Sequence, residues 1–574
     1  LDQGIHIERV RIQTTLDGTV HMQFQVVNVT GQPFRGSLNL GIAAENHDGP
    51  GASHVQPVQL PAGKSQLDVS LTIPEPRLWW PWDQGQPHLY CLTARIDDAD
   101  GQPLSELAET FGVRTVRLER TPERFTYWIN ERPVFVRGTS YMPGLYLAQS
   151  SRESLAQDVQ QARAAHLNLL RAHVHVSPPE FYDLCDREGM LVWQDFELNW
   201  MHDPSPEFEA RALRLQRDMI DLLGNHPSVI TWACHNEPTM IFTQRRNLED
   251  RPDLALYADA QEHDATRPVF ICSGQMEADW QRAGDSHSYF GAIWSRRFTD
   301  VYRHRPRLST EFGFETPAAV ETLRTVPQVW ARTAHLAGQI EALWDYQAQL
   351  IQYHVEHFRR LRADTCAGYV HFWFADLVPQ IGPGVLDSQR CPKGGYEALR
   401  RASQPLLPAL EHTGQRPCAW WIFNDTPQAY PGAALHWRVY DAADRLLLED
   451  TCPADIAANG SQRLGTVHWS LTAAQCARID LELCSGTGET LASNTYDRPF
   501  QPYLRPRGYP WKFDPDLGMK VFDRPGAPSL TDRGAHPAVK LVPLTLREWF
   551  IEWVLRQQFP TALLSAAARV IDRL

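Results

Sequence analysis

Between residues 119 and 403, short β-branched and aromatic runs alternate with amphipathic helical patterns. This alternation restricts the fold more than any other feature. A strand followed by a helix brings the chain back parallel to itself, so the repeat predicts a parallel sheet. Eight runs qualify as strands: 134–137, 168–172, 191–195, 229–234, 269–272, 286–289, 308–311 and 368–373. Helical patterns separate most of them, as over 154–165 and 207–223, where Phe208, Leu213, Ile220 and Leu223 share one face. Eight such units over 119–403 predict a (β/α)8 barrel.

Barrel enzymes keep their chemistry at the C-terminal ends of the strands. The fourth run leads into Asn236-Glu237-Pro238, and the seventh ends in Glu311-Phe312-Gly313. One carboxylate in such a place is more often a helix cap or a surface charge. Two, on separate strand ends of one barrel, form the kind of pair that glycoside hydrolysis uses.

The flanks read differently. Residues 1–118 alternate apolar and polar positions in short runs divided by Gly, Pro, Asn and Asp, which predicts an immunoglobulin-like β-sandwich. Residues 415–503 return to short strands at 419–423, 434–440, 467–470 and 478–483, predicting a C-terminal β-sandwich. Residues 504–574 form a Pro-rich segment and a helical tail, with a capping box at Thr545-Leu546-Arg547-Glu548 and apolar surface from Trp549 and Trp553. Its acidic interruptions favour a helix packed back on the protein over one lying on a membrane. Self-association or docking through these helices stays open.

Composition excludes several classes. A net charge of −13 disfavours nucleic-acid binding, which needs clustered Lys and Arg. No run of apolar residues is long enough for a spanning helix, so no membrane span is expected. The ten Cys form no C-x-x-C pair, and several sit inside apolar runs. Free buried thiols in a reducing, cytoplasmic compartment are the simplest account, although the chain begins at Leu1 rather than Met.

Several motifs together resemble glycoside hydrolase family 2. Leu78-Trp79-Trp80-Pro81 with Leu89-Tyr90 is similar to a sandwich motif of its β-mannosidase-like branch. Asn130 to Gly138 resembles the family's entry into the barrel, and Phe181 to Gly189 with Val192 to Phe196 its third barrel unit. His226-Pro227-Ser228 through Asn236-Glu237-Pro238 resembles its acid/base strand and is the most specific match. The family normally opens on a jelly-roll domain that helps wall the sugar subsite, whereas this chain opens on what resembles its second domain.

The resemblance implies a retaining exo-β-glycosidase, β-mannosidase-like or β-galactosidase-like, acting on carbohydrate with no cofactor. Its rival is a carbohydrate-binding or assembly protein on the same scaffold. Glu237 would be the general acid and then the base, and Glu311 the nucleophile. Mutual repulsion would keep one of the two carboxyls protonated. Asn236 would hold the sugar 2-hydroxyl, and His287 and Tyr289 match the family's sixth-strand His-x-Tyr.

Other residues have two readings each. Arg171 can bond Glu311 or form a plain structural ion pair. Asp195 can reach a sugar hydroxyl or cap a helix, and Trp373 can be a sugar platform or core. His173 and His175, on one strand face, can touch sugar, serve as structural histidines or ligate zinc; lacking a third ligand, zinc is the weakest reading. Where the branch usually has Trp-Gly and Gly-Asn-Asn-Glu, this chain has Ala172-His173 and Cys234-His235-Asn236-Glu237. Mannose is therefore not singled out.

Overall fold

The computed structural model describes residues 4–145, 150–238, 251–274, 279–292 and 297–500, with two short strands, Lys512–Asp514 and Met519–Val521. The helical tail from Thr545 onward lies outside the described residues. Among the described residues no helix is long and apolar enough to cross a membrane.

The first seven strands build a sandwich. Ile5–Thr14, Thr19–Asn28 and Gly63–Thr72 form one sheet; Phe34–Ala44, Ala52–Leu60, Tyr90–Asp97 and Pro103–Phe111 form the other. Alternation sets which face is buried. In Thr19–Asn28, Val20, Met22, Phe24 and Val26 enter the core, while His21 and Gln23 face outward.

A small antiparallel sheet then joins sandwich to barrel: Val116–Arg120, Phe125–Ile129 and Arg132–Val134. Asn130 and Glu131 both take positive φ (49° and 60°), so they make the tight turn that folds 132–134 back on the preceding strand. The 134–137 run is thereby divided, and the first barrel strand is Val136–Tyr141.

The other seven barrel strands fall within the predicted runs or match them, most of them shorter: Leu169–Ala172, Leu191–Asp195, Val229–Ala233, Val269–Phe270, Ser286–His287, Ser309–Glu311 and Gly368–His371. All eight join one sheet in the order fifth, fourth, third, second, first, eighth, seventh, sixth. The first strand pairs in parallel with both the second and the eighth, as in a barrel, and among the described residues the sheet ends at the fifth and sixth strands. Every residue of Leu191–Asp195 and Val229–Ala233 is buried, as covering on both faces requires.

Helix ends follow their local chemistry. Ser205 caps helix Pro206–Leu223 by accepting from the Phe208 amide, with Pro206 at the first position. Gly189 closes helix Pro179–Glu188 in the left-handed region (φ 66°), where a Cβ would lie 2.8 Å from the Trp82 amide nitrogen. This glycine lets the Trp79–Trp82 segment dock on the barrel.

The C-terminal sheets begin at Leu406, ahead of 415. Leu406–His412, Pro417–Asn424 and Gly460–Thr466 form one, and Leu446–Ile456, Tyr430–Tyr440, Arg478–Cys484 and Thr490–Asp497 the other. Residues 467–470 are not a strand. The ladder ends at the Ala419–Thr466 pair, and Trp469 turns into an aromatic cluster with Trp420, Trp437 and Phe500. Side-chain packing thus displaces ladder pairing there.

One buried ionic network ties the parts together. Arg137 donates to Asp83 (2.8 Å) and to Asp425 (3.0 Å), and Asp425 also takes Arg359 (2.8 Å) and Arg362. Asp425→Ala leaves three buried guanidinium groups without their shared counter-charge. It should cost at least about 3 kcal/mol, read as a fall in the urea midpoint. A variant within about 0.5 kcal/mol of the parent would show that water replaces the carboxylate.

Candidate active site

Strands two to eight deliver a group of polar side chains to one end of the barrel. Glu311 ends the seventh strand and is buried (4% exposed). Its Oε1 accepts from Arg171 Nη1 (3.2 Å) and its Oε2 from the Tyr289 hydroxyl (2.7 Å). Glu237 follows the fourth strand and is 8% exposed, with φ of 52°. Its Oε2 accepts from Trp200 Nε1 (2.7 Å), and its Oε1 lies 2.6 Å from His287 Nδ1.

His287 also lies 3.4 Å from Glu311 Oε2, so it sits between the two carboxylates. Gly274 (φ 104°) makes room for its ring; a Cβ there would come within 2.8 Å of it. Oxygens of Glu237 and Glu311 approach within 4.8 Å of one another.

Burial opposes the charge of Glu237, but the His287 charge and the bonds from His287 and Trp200 outweigh it and hold its pKa below the usual carboxyl value. Burial likewise opposes charging of His287, and the Glu311 and Glu237 charges raise its pKa regardless. Mutual repulsion is thus not the only influence on the pair: a buried imidazole lies between the two carboxylates and lowers the pKa of Glu237. Burial and the Glu311 charge raise the Tyr289 phenol well above its normal value, so it stays a donor.

Arg171 is fully buried and touches three candidates at once. Its Nε and Nη2 reach Asp195 Oδ2 (2.9 Å each), Nη1 reaches Glu311, and Nη2 reaches Asn236 Oδ1 (2.7 Å). Burial would disfavour its charge, but the Asp195 and Glu311 carboxylates raise its pKa further. Both readings of Arg171 hold together: it is an ion pair, and that pair holds Glu311.

Asp195 differs from expectation. It neither caps a helix nor points a free oxygen outward: Oδ2 takes Arg171, and Oδ1 takes the Trp193 indole (2.8 Å). Burial alone would raise its pKa, yet Arg171 and His173 bring it down to about 2. Asn236 Nδ2 donates to Asn199 Oδ1 (2.9 Å).

His173 and His175 do not share a strand face. The second strand ends at Ala172, and Val174 takes φ of 49°, turning the chain between them. His173 meets the Phe372 ring edge-on at 5.2 Å. His175 uses both ring nitrogens, on the His173 carbonyl (3.1 Å) and the Ser177 hydroxyl (2.7 Å), and burial lowers its pKa. Among the described residues, the groupings compact enough to share a cation are Glu237–His287–Glu311 and His202–His235–Asp253, and neither includes His173 or His175.

Trp373 is half-buried beside Phe372, with ring centroids 4.9 Å apart. The following loop is pinned by a buried pair: Lys393 Nζ donates to Asp376 (2.8 Å) and to the Gly382 and Thr316 carbonyls (2.9 and 3.1 Å).

Sequence reasoning missed Trp200, Asn199 and Phe372, which border the two carboxylates or their partners. Trp200 lies five residues past the third strand in the left-handed region (φ 57°), 43% exposed. Only its place after a barrel strand could have marked it.

Comparison with known proteins points one way. The model described as "Glycosyl hydrolases family 2, TIM barrel domain" matches residues 126–406, and "Glycosyl hydrolases family 2" matches residues 5–114. A beta-mannosidase of Capra hircus is 24% identical over 403 residues, covering 62% of this chain and 44% of that protein. A beta-mannosidase of Bos taurus is 27% identical over 423 residues, covering 66% and 46%. The chain thus spans less than half the length of these relatives. Among solved structures, the beta-D-mannosidase of Dictyoglomus thermophilum shares the fold with a TM-score of 0.75 at 21% identity, covering 87% of this chain and 67% of that one. The exo-chitosanase of Amycolatopsis orientalis shares it with a TM-score of 0.70 at 16% identity, covering 86% and 64%.

Proposed function

The chain belongs to glycoside hydrolase family 2, and from that premise we propose that it is a retaining exo-β-glycosidase acting on a β-mannoside-like or β-galactoside-like substrate. The observation that carries this reading is the close approach of Glu237 and Glu311, within 4.8 Å. Retaining enzymes hold their carboxyls about 5–5.5 Å apart, and inverting ones about 6.5–9.5 Å to admit a water.

Glu311, oriented by Arg171 and Tyr289, attacks the anomeric carbon and displaces the leaving oxygen. Glu237 supplies that oxygen with a proton, available 2.6 Å away on His287 Nδ1. Water then attacks the glycosyl-enzyme, and Glu237 takes the water's proton, so one proton leaves with the alcohol and one returns. Asn236 holds the sugar 2-hydroxyl, and Trp373 with Phe372 lines the sugar face. The names of the curated relatives favour mannose, while the exo-chitosanase keeps an amino sugar in view.

A panel of nitrophenyl β-glycosides (mannoside, galactoside, glucoside, glucuronide, glucosaminide) tests the reading, and turnover of one sugar supports it. Binding of sugars without turnover of any would favour the carbohydrate-binding alternative. Glu237→Ala should lower turnover of poor leaving groups by about 10²–10⁴-fold, spare activated aryl sugars in part, and respond to azide. Equal loss on every substrate with no azide response would remove Glu237 from the acid/base role.

A further inference from the structure

Beneath the two carboxylates lies a buried chain of polar groups that the reaction as described does not use. Asp285, just before the sixth strand, is fully buried, as is Ser273, three residues past the fifth. Asp285 Oδ2 accepts from the Ser273 hydroxyl (2.8 Å), from the Gly274 amide (3.0 Å) and from the Thr310 hydroxyl. Ser273 Oγ lies 3.3 Å from His287 Nε2.

The direction of each bond follows from proton counting. A serine hydroxyl has one proton, and that of Ser273 goes to the carboxylate. Its oxygen can then only accept from His287, so Nε2 must carry a hydrogen. The hydrogen bond made by one imidazole nitrogen decides what the other can do. With Nε2 protonated, Nδ1 is the nitrogen that exchanges a proton with Glu237 Oε1 at 2.6 Å. The charged groups around this ring are Glu237, Glu311 and Arg171 on the pocket side and Asp285 behind Ser273.

We propose that Asp285, acting through Ser273, is a positioning residue that locks His287 in its Nε2–H form and so makes Nδ1 the proton reservoir for Glu237. This inference rests on the glycosidase reading for its catalytic consequence, though not for its proton geometry. In the forward step the Nδ1 proton moves to Glu237 and on to the departing oxygen. In the return step Glu237 takes a proton from water and passes it back to Nδ1.

Asp285→Leu tests the direction of the chain. Asn would not, because its amide oxygen would take the place of Oδ2, where the Gly274 amide can only donate, and would still accept from Ser273. Leu removes that acceptor, and the Ser273 hydroxyl then turns its proton toward Nε2, forcing His287 into the Nδ1–H form. The wrong tautomer in a serine-protease triad costs about 10⁴-fold, which sets the scale. Ser273→Ala removes the acceptor of Nε2–H while leaving Asp285 in place, should Asp285→Leu fail to fold.

The primary readout is ¹⁵N-histidine NMR, with His287 assigned by difference from His287→Gln. The expected result is hydrogen on both His287 nitrogens at neutral pH in the parent, and a neutral Nδ1–H ring in Asp285→Leu. In parallel, kcat on a poor leaving group should fall about 100-fold or more with KM held, and azide should raise turnover of an activated aryl glycoside. An unchanged His287 signature in both variants overturns the proposal, as does kcat loss without a tautomer change. If the parent hydrolyses no glycoside, the NMR result still decides the proposal, and only the glycosidase reading fails.

Discussion

Glu311→Gln is expected to remove turnover by a factor on the order of 10⁵ while leaving the fold in place. A retaining reaction needs a nucleophile that forms the glycosyl bond, and an amide oxygen is a poor one. Loss of a nucleophile elsewhere has cost about 10⁶-fold in kcat, which sets the scale. The fold should tolerate the change because the hydrogen bonds can be kept. The Gln oxygen can face Arg171, as Oε1 does now at 3.2 Å, and its amide can donate to the Tyr289 oxygen, reversing the present 2.7 Å bond. Arg171 retains Asp195 as counter-charge. Residual kcat above about 1% of the parent would exclude Glu311 as nucleophile. Loss of the cooperative thermal transition would instead show that the carboxylate is needed for folding.

The second large effect is on stability. Mild acid should unfold the protein near pH 5, because a group of histidines is buried in the neutral state around the helix Ile340–Arg360 and the barrel wall. Burial pushes His304 down to about 4 and His354, His371 and His412 down to about 3. His357 falls well below its normal value, from burial and then from Arg360. Their surroundings explain this: His354 stacks parallel on Phe312, His371 meets the same ring edge-on, and His412 packs against Tyr353.

Above pH 6.5 these groups are neutral whether folded or not, and they exert no pull. Below it the unfolded chain takes up protons that the fold refuses, so each costs about 1.4 kcal/mol per pH unit, or roughly 2 kcal/mol at pH 5. Several together approach the 5–15 kcal/mol typical of a whole domain. His226 and His287, whose pKa values are raised, act in the opposite sense but are fewer. Urea midpoints measured from pH 8 to 4.5 should fall steeply below 6.5. A profile flat to pH 5 would mean that the buried rings are hydrated or already charged. His354→Phe, which keeps the stack on Phe312, should reduce the slope.

These two effects differ in how far they were legible from sequence. The candidate nucleophile stood out because Glu311 closes the short run Leu308-Ser309-Thr310, the second strand end to carry a Glu, and a strand end in a barrel is a place where function collects. Three of the eight barrel strands are two or three residues long, and two of these, Ser286–His287 and Ser309–Glu311, hold no apolar residue; their place in the strand–helix alternation and the family resemblance marked them. The acid-sensitive histidines were not legible. His304, His354, His371 and His412 come from four separate elements, and nothing local distinguishes a buried histidine from an exposed one.

The same division runs through the candidate site. Strand-end position was enough to mark Glu237, Glu311 and Arg171, because period and turn chemistry are properties of neighbouring residues, and the family resemblance added roles for Asn236, His287 and Tyr289. It could not say that Asp195 holds Arg171 rather than a cap, that Val174 turns His175 away from His173, or that Trp200 reaches back to Glu237. Nor could it say that His287 lies between the two carboxylates. Local patterning along the chain determined the barrel, its two flanking sandwiches and the carboxylate pair. Only the tertiary structure decided what orients the two carboxylates and what lies between them, because those contacts depend on groups brought within about 3 Å from distant strands, and sequence separation carries no record of that distance.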